Sequence, residues 1–284
     1  MSRPKTVTAV AELRARLASR RNAGERIALV PTMGALHAGH LSLVEQAARV
    51  APRVVVSIFV NPTQFAPHED LATYPRNLER DLDMLARCGV DLVFAPDVAE
   101  MYPDGAATTV TVGGPSEGLE SVVRPHFFAG VATVVAKLFV QVAPDVAIFG
   151  EKDFQQLAVV RRMARDLCFP IEIQGAPIIR ETDGLAMSSR NVYLTDADRA
   201  RAPELHAALA EAAAAAEAGR DVSQTLDAAK RRIEGAGFAI DYVELRDSGT
   251  LRPITALEDR PARLLAAARI GGVRLIDNVA VNTA

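Results

Sequence analysis

The densest chemistry in the chain lies in PTMGALHAGH at 31–40, where two histidines, His37 and His40, and two glycines fall between an apolar run and the start of a helical pattern. Free N–H groups at a helix start, helped by the helix dipole, make such a turn an anion site, and Gly34 and Gly39 let the backbone approach a phosphate closely. A histidine at a helix N-terminus is pushed toward its neutral form, so a ring N–H of His40 can donate to a phosphoryl oxygen that gains charge in a displacement. The competing readings are a surface turn with incidental histidines, and a pair of zinc ligands at i and i+3 with no third ligand cluster nearby.

A second segment, FGEKDFQQ at 149–156, also runs from a strand end into a helix, at the carboxyl edge where open α/β sheets bind ligands. Lys152 offers a compact positive charge for a triphosphate, Asp153 can accept ribose hydroxyl protons, and Gln156 has both donors and acceptors for a hydroxy acid. Its bland alternative is a solvated helix start. A third segment, DGLAMSSR at 183–190, combines a glycine, two hydroxyls and a guanidinium, a set that can close over β- and γ-phosphates.

These segments need a scaffold of alternating strands and helices. RIALVP (26–31), RVVVSIFVN (53–61), DLVFAP (91–96) and DVAIFG (145–150) read as strands, the second a near-continuous β-branched run of the kind buried on both faces of a parallel sheet. Helical spacing marks a first helix from Val10, with Thr8 as its cap and Gly24 as its stop, then 41–50, 76–88, 130–142 and 153–167. The alternation predicts an α/β fold, a Rossmann-like doubly wound parallel sheet. Beyond Arg190 the pattern changes to alanine-rich helical stretches at 195–218 and 223–234 and to three strand-like segments at 238–246, 262–270 and 273–281. The expected division is a Rossmann-like domain over 1–186 and a smaller C-terminal α+β lid domain over 187–284.

At 284 residues, 49% hydrophobic and 24% charged, the chain is globular rather than disordered. Its 32 basic and 35 acidic residues give a net charge of −3, which offers nucleic acid no electrostatic footprint. No apolar run approaches the ~20 residues that span a bilayer, and the first residues lack a signal-peptide core, so the expectation is a soluble cytoplasmic protein without a membrane partner. Cys88 and Cys168 form no metal pattern and read as small, reduced core residues. His68 and His206 read as ordinary exposed residues without a function.

His37-Ala38-Gly39-His40 after a strand resembles the HxGH signature of the nucleotidylyltransferase superfamily. With SIFVNPTQF (57–65), YPRN (74–77), FGEKDFQQL (149–157) and DGLAMSSRN (183–191) in order, residues 25–195 closely resemble the pantothenate synthetase family, and RLIDN (274–278) extends the likeness loosely to the C-terminus. The resemblance implies an ATP-dependent ligase that condenses pantoate with β-alanine through a pantoyl-adenylate, releasing AMP and pyrophosphate, with Mg2+ on the ATP phosphates and a homodimeric assembly. It implies that Met33, Gly34, Ala35, Leu36, His37, Ala38, Gly39 and His40 wrap the ATP, with His40 the proton donor and His37 a second phosphate contact. Gly150, Glu151, Lys152 and Asp153 would hold ribose and phosphate, Ile179 and Met187 would line the adenine, and Ser188, Ser189 and Arg190 would close on the phosphates. His37, His40, Lys152 and Arg190 form its catalytic set, while Gln64 and Gln156 would grip pantoate, Gln64 also facing β-alanine, with Asn61 and Arg124 as further substrate-binding residues.

One departure is visible. The family commonly has Arg-Pro-x-His-Phe where this chain reads Arg124-Pro125-His126-Phe127-Phe128, so the histidine is shifted by one residue and His126 stays outside the catalytic set. No protein ligand for magnesium is identified, Asp81 and Asp83 being the candidates. The rival readings are another nucleotidylyltransferase of the same fold acting on a phosphorylated acceptor, an aminoacyl-tRNA synthetase, for which a basic tRNA-binding domain is missing, and a catalytically silent nucleotide binder.

Overall fold

The computed structural model describes residues 3–66, 69, 71–257 and 260–282. His68 lies outside them. The chain forms two compact units, Met1–Glu151 with Val159–Pro177, and Lys152–Ala158 with Ile178–Ala284. The division therefore falls at Pro177/Ile178 rather than at 186/187, and the first turn of the helix after Lys152 groups with the second unit.

The first unit is built on a six-stranded sheet of β1 (Lys5–Val7), β2 (Ile27–Thr32), β3 (Arg53–Ile58), β4 (Leu92–Phe94), β5 (Val146–Gly150) and β6 (Glu172–Ala176). Its order is β1-β4-β3-β2-β5-β6 and every pairing is parallel. Helices α1 (Val10–Asn22), α2 (Ala38–Val50), α3 (Leu78–Leu85), the single turns α4 (Val98–Met101) and α5 (Glu120–Val123), α6 (Phe127–Val142) and α7 (Phe154–Asp166) connect the strands. Ile27 to Val30 and Val54 to Val56 are buried, as unbroken apolar strands must be when helices cover both faces. This is the expected Rossmann-like α/β sheet. Two of its strands went unread: β1 has only three residues, and the EIQGA of β6 has no apolar run. The first helix is capped at Ala9 without a side-chain bond, not at Thr8.

The second unit is α+β. An antiparallel sheet of β7 (Ala239–Asp247), β8 (Ala262–Ile270) and β9 (Val273–Val281) packs against α9 (Glu204–Glu217) and α10 (Val222–Gly235), preceded by α8 (Asp196–Arg201). The single helical stretch expected over 195–218 is two helices, because Pro203 has no N–H to continue the first. In α9, Leu205, Ala208, Leu209, Ala212, Ala213 and Ala216 form the buried face, and their small size lets the helix lie close on the sheet.

Both cysteines are free; Cys88 is half-buried and packs against the core of the first unit, whereas Cys168 is no core residue but exposed on the turn after α7. Partial burial pushes the Cys88 thiol above its ordinary value. Among the described residues no helix is long and apolar enough to cross a membrane.

Helix α6 meets the Pro62–Gln64 turn that follows β3 at Gly130, where a Cβ would lie 2.5 Å from the Thr63 carbonyl oxygen and 2.9 Å from Gln64 Cα. Both obstacles are backbone, so neither a rotamer change nor a small shift relieves them. Gly130→Ala should therefore cost about 1–3 kcal/mol through overpacking, read as a lowered denaturation midpoint at unchanged urea slope.

Candidate active site

In the sheet order β2 and β5 are neighbours, and the chain proceeds from them in opposite directions, through β3 and β4 on one side and β6 on the other. That reversal is a topological switch point, where open α/β sheets bind ligands outside the strand ends. The carboxyl end of β2 runs into Met33–His40 and that of β5 into Gly150 and Glu151.

The turn after β2 is held in a sparsely populated conformation. Gly34 and Ala35 have φ of 81° and 51°, two successive left-handed residues. Asp81 of α3 holds them there: its carboxylate accepts the Ala35 N–H at Oδ2 and the Leu36 N–H at Oδ1, both at 2.9 Å. A Cβ on Gly34 would meet Asp81 Oδ2 at 3.0 Å and Ile58 Cγ2 at 3.1 Å, so glycine is required for space as well as for φ. Asp81 is only 1% exposed; burial pushes its carboxyl up, against the two backbone donors that favour its charge. These bonds engage both of its oxygens, and Asp83 pairs with Arg3 through Oδ1 at 2.6 Å.

His37 is the N-cap of α2 and His40 its third residue, and the two form a reciprocal capping box. His37 Nδ1 accepts the Gly39 N–H at 3.2 Å and His40 Nδ1 accepts the His37 N–H at 3.3 Å, with the rings 4.1 Å apart. An Nδ1 that accepts from the backbone carries no proton, so each ring carries its proton on Nε2. The histidines thus complete the helix start and provide two ring donors there.

Met33, Asn61 and Gln64 come together beside this turn. Gln64 Nε2 lies 3.0 Å from Met33 Sδ, and Asn61 Nδ2 donates to Gln64 Oε1 at 3.1 Å and to the Gly130 carbonyl at 3.2 Å. Tyr102 donates to Asn61 Oδ1 at 2.8 Å, an orienting contact that sequence reasoning missed. Arg124 has a supporting place instead of an open one: its guanidinium pairs with both oxygens of Glu69, donates to the Gln64 carbonyl at 3.1 Å and stacks on Phe127. Asp81 had a readable signal, a carboxylate on the same helical stripe as Leu78, Leu82 and Leu85. Tyr102 and Glu69 had none.

The second unit carries the other predicted residues. Lys152 and Asp153 lie in a 3-10 turn, their charged atoms 3.9 Å apart, and Gln156 is half-buried on the first turn of α7. Ile179 and Met187 face each other across a short hairpin, joined by the Met187 N–H to the Ile179 carbonyl at 3.0 Å. Ser188 caps the turn Ser189–Tyr193 by accepting the Arg190 N–H at 3.2 Å. His206 is not an exposed bystander: it is half-buried, with Nδ1 3.6 Å from Asp277, which pairs with Arg180 through both oxygens. Among the described residues no group of three or more His, Cys, Asp or Glu could hold a metal ion.

Two outcomes are expected. Asp81→Asn places an amide donor against backbone N–H groups and should cost about 1–3 kcal/mol, with faster hydrogen exchange at the Ala35 and Leu36 amides as the local readout. Burial, reinforced by the Arg180 cation and opposed by Asp277, holds the His206 imidazole below its ordinary value of 6.5. The unfolded chain therefore takes up the proton first as pH falls, so stability is full above 6.5 and declines from there until the folded value is passed. Urea midpoints from about pH 7.5 to about pH 5.5 should show a smaller decline for His206→Gln than for the wild-type chain.

Comparison with known proteins agrees with this geometry over the full chain. A family profile described as Pantoate-beta-alanine ligase matches residues 5–280. A pantothenate synthetase of Mesorhizobium japonicum is 59% identical over 285 aligned positions, covering 100% of both chains, and one of Rhodopseudomonas palustris is 57% identical over 99% of this chain and 100% of its own. The crystal structure of pantothenate synthetase from Thermus thermophilus aligns with a TM-score of 0.93 at 51% identity, covering 98% of this chain and 99% of its own. A pantoate-beta-alanine ligase of Francisella tularensis, complexed with beta-gamma ATP and beta-alanine, aligns with a TM-score of 0.81 at 33% identity over 97% of each chain. The switch-point histidines, the buried turn before them and these full-length likenesses agree, and the chain belongs to the pantoate-β-alanine ligase family, the pantothenate synthetases.

Proposed function

We propose that this ligase makes its amide in two displacements on one bound nucleotide. A carboxylate oxygen of pantoate attacks the α-phosphorus of ATP, the bond to the β-phosphate oxygen breaks and pyrophosphate leaves. The amine of β-alanine then attacks the carbonyl carbon of the pantoyl-adenylate, AMP leaves and the amine loses a proton. Both nucleophiles come from the substrates, so the protein's contribution is positioning and charge stabilisation. The observation that carries this reading is the fixed tautomer of His37 and His40, whose Nδ1 atoms are tied to backbone N–H groups and whose ring protons therefore sit on Nε2 as donors.

In this reading His40 donates to phosphate oxygen as pyrophosphate departs and His37 makes a second phosphate contact. Met33 to Gly39 supply backbone to the nucleotide, Gly150, Glu151 and Asp153 hold the ribose, and Ile179 and Met187 line the adenine. Lys152 and Arg190 offset the charge of the phosphates, and the hydroxyls of Ser188 and Ser189 close on them as hydrogen-bond donors. Gln64 and Gln156 grip pantoate with Asn61, whose amide orients Gln64, while Arg124 acts by holding the Gln64 loop. The ligands named for the Francisella tularensis relative support ATP and β-alanine as substrates. Magnesium is proposed to arrive on the phosphate oxygens of MgATP, a reading supported by the backbone bonds that engage both oxygens of Asp81. A homodimer in the cytoplasm completes the proposal, with the two free thiols in keeping with a reducing compartment.

With MgATP, pantoate and β-alanine supplied, AMP and pantothenate should form in equal amounts, and without β-alanine only enzyme-bound adenylate and pyrophosphate. His40→Ala should lower the rate of pyrophosphate release about 10²–10³-fold, the usual loss for a single donor to a developing charge. ADP formation would mean γ-phosphoryl transfer and would rule out this mechanism, while pyrophosphate release with the AMP group retained on a phosphorylated acceptor and no pantothenate would favour nucleotide transfer instead.

A further inference from the structure

The closing RLIDN segment places two polar residues, Asp277 and Asn278, next to each other in the middle of β9, 4% and 2% exposed. Adjacent residues of a strand point to opposite faces. Asp277 has the parity of Val273, Leu275 and Val281, which belong to the core cluster formed with α9 and α10, and Asn278 has the other.

Each side chain ends on a different segment of the proposed site. Asn278 Nδ2 donates to the Lys152 carbonyl at 2.9 Å, and its Oδ1 accepts from Arg263 Nε at 2.7 Å, which fixes the amide's orientation. Arg263 in turn stacks on the Phe154 ring at 4.1 Å, so the turn bearing Lys152 is held at two points. Asp277 takes both guanidinium nitrogens of Arg180, at 2.6 and 2.9 Å, and Arg180 donates to the Gly184 carbonyl at 3.1 Å inside the hairpin that leads to Ser188 and Arg190. The Asn278 N–H donates to Asp277 Oδ1 at 2.7 Å, joining the two anchors directly.

We infer that Asp277 and Asn278 form a positioning pair for adenylation, fixing the Lys152 turn from one face of β9 and the 178–190 hairpin from the other. The inference rests on the reading of Lys152 and Ser188 to Arg190 as the phosphate-holding groups. Neither member of the pair touches substrate; each acts through backbone that carries a group that does. A misplacement of about 1 Å at such a group can cost on the order of a hundredfold in rate, so loss of either anchor should lower kcat in the molecules that remain folded.

The test is Asn278→Asp, which keeps the size of the side chain and its bond from Arg263 but turns the donor facing the Lys152 carbonyl into an acceptor. Pyrophosphate release is measured per folded molecule, with the folded fraction taken from circular dichroism, and Asn278→Ser replaces this variant if it does not fold. The expected result is a kcat about ten- to a hundredfold lower and a raised KM for ATP, with KM for β-alanine within twofold of wild type. Asp277→Asn, which loosens Arg180, is expected to raise KM for ATP through the hairpin. Constants within twofold of wild type in the folded variants, or a loss that follows only the unfolded fraction, would overturn the inference while leaving the ligase mechanism standing. Lys152→Ala is run beside them: wild-type rates in that variant would remove the site assignment itself, and the positioning role with it.

Discussion

The interaction on which the site depends is the grip of one buried carboxylate on two consecutive backbone amides. Asp81 spends both oxygens on Ala35 and Leu36, and that contact keeps Gly34 and Ala35 in left-handed conformations. The reversal they make delivers His37 to the N-cap of α2, where the paired histidines cap the helix. Without it the chain leaving β2 has no reason to turn so sharply, and the ring donors no fixed origin. A carboxylate buried among apolar side chains is costly unless satisfied, and here its satisfaction and the strained turn offset one another.

The same division of labour recurs around Asn61 and Gln64. Asn61 and Gln64 are oriented by groups that make no claim to chemistry themselves, Tyr102, Glu69, Arg124 and the Gly130 carbonyl. The nucleophiles in a ligation of this kind belong to the substrates. A protein with little covalent chemistry to perform can place its buried polar side chains in the support of a few amides and imidazoles.

How much of this was legible in the sequence follows from the range of each interaction. The central strands announced themselves as unbroken β-branched runs, whereas β1, of three residues, and β6, with glycine and glutamine in it, carry no such pattern. The chemistry-bearing segments were readable because each is local, a strand end passing into a turn or helix. The supporting contacts were not: Asp81 acts 46 positions from Ala35 and Asn278 acts 126 positions from Lys152, and nothing in the spacing of either pair indicates the bond. Asp81 alone left a trace, as a charged residue on an otherwise apolar helical stripe. Arg124 was readable as important but not as a supporting residue, because a guanidinium looks the same in sequence whether it faces a carboxylate of substrate or of Glu69.

The hairpin of β8 and β9 turns through Gly271 and Gly272, with φ of 54° and 81°, directly after Ile270 pairs with Val273. A two-residue turn with both central residues left-handed locks the register of the strands it joins. Side chains on β9 therefore have their faces set by counting from that turn, and one residue gained or lost between Gly272 and Asp277 would exchange the faces of the acid and the amide. Across descendants of this chain, the stretch can drift freely in apolar identity, Leu for Ile or Val for Leu. Its length is what evolution cannot easily alter, so alignments of such enzymes should be free of gaps there.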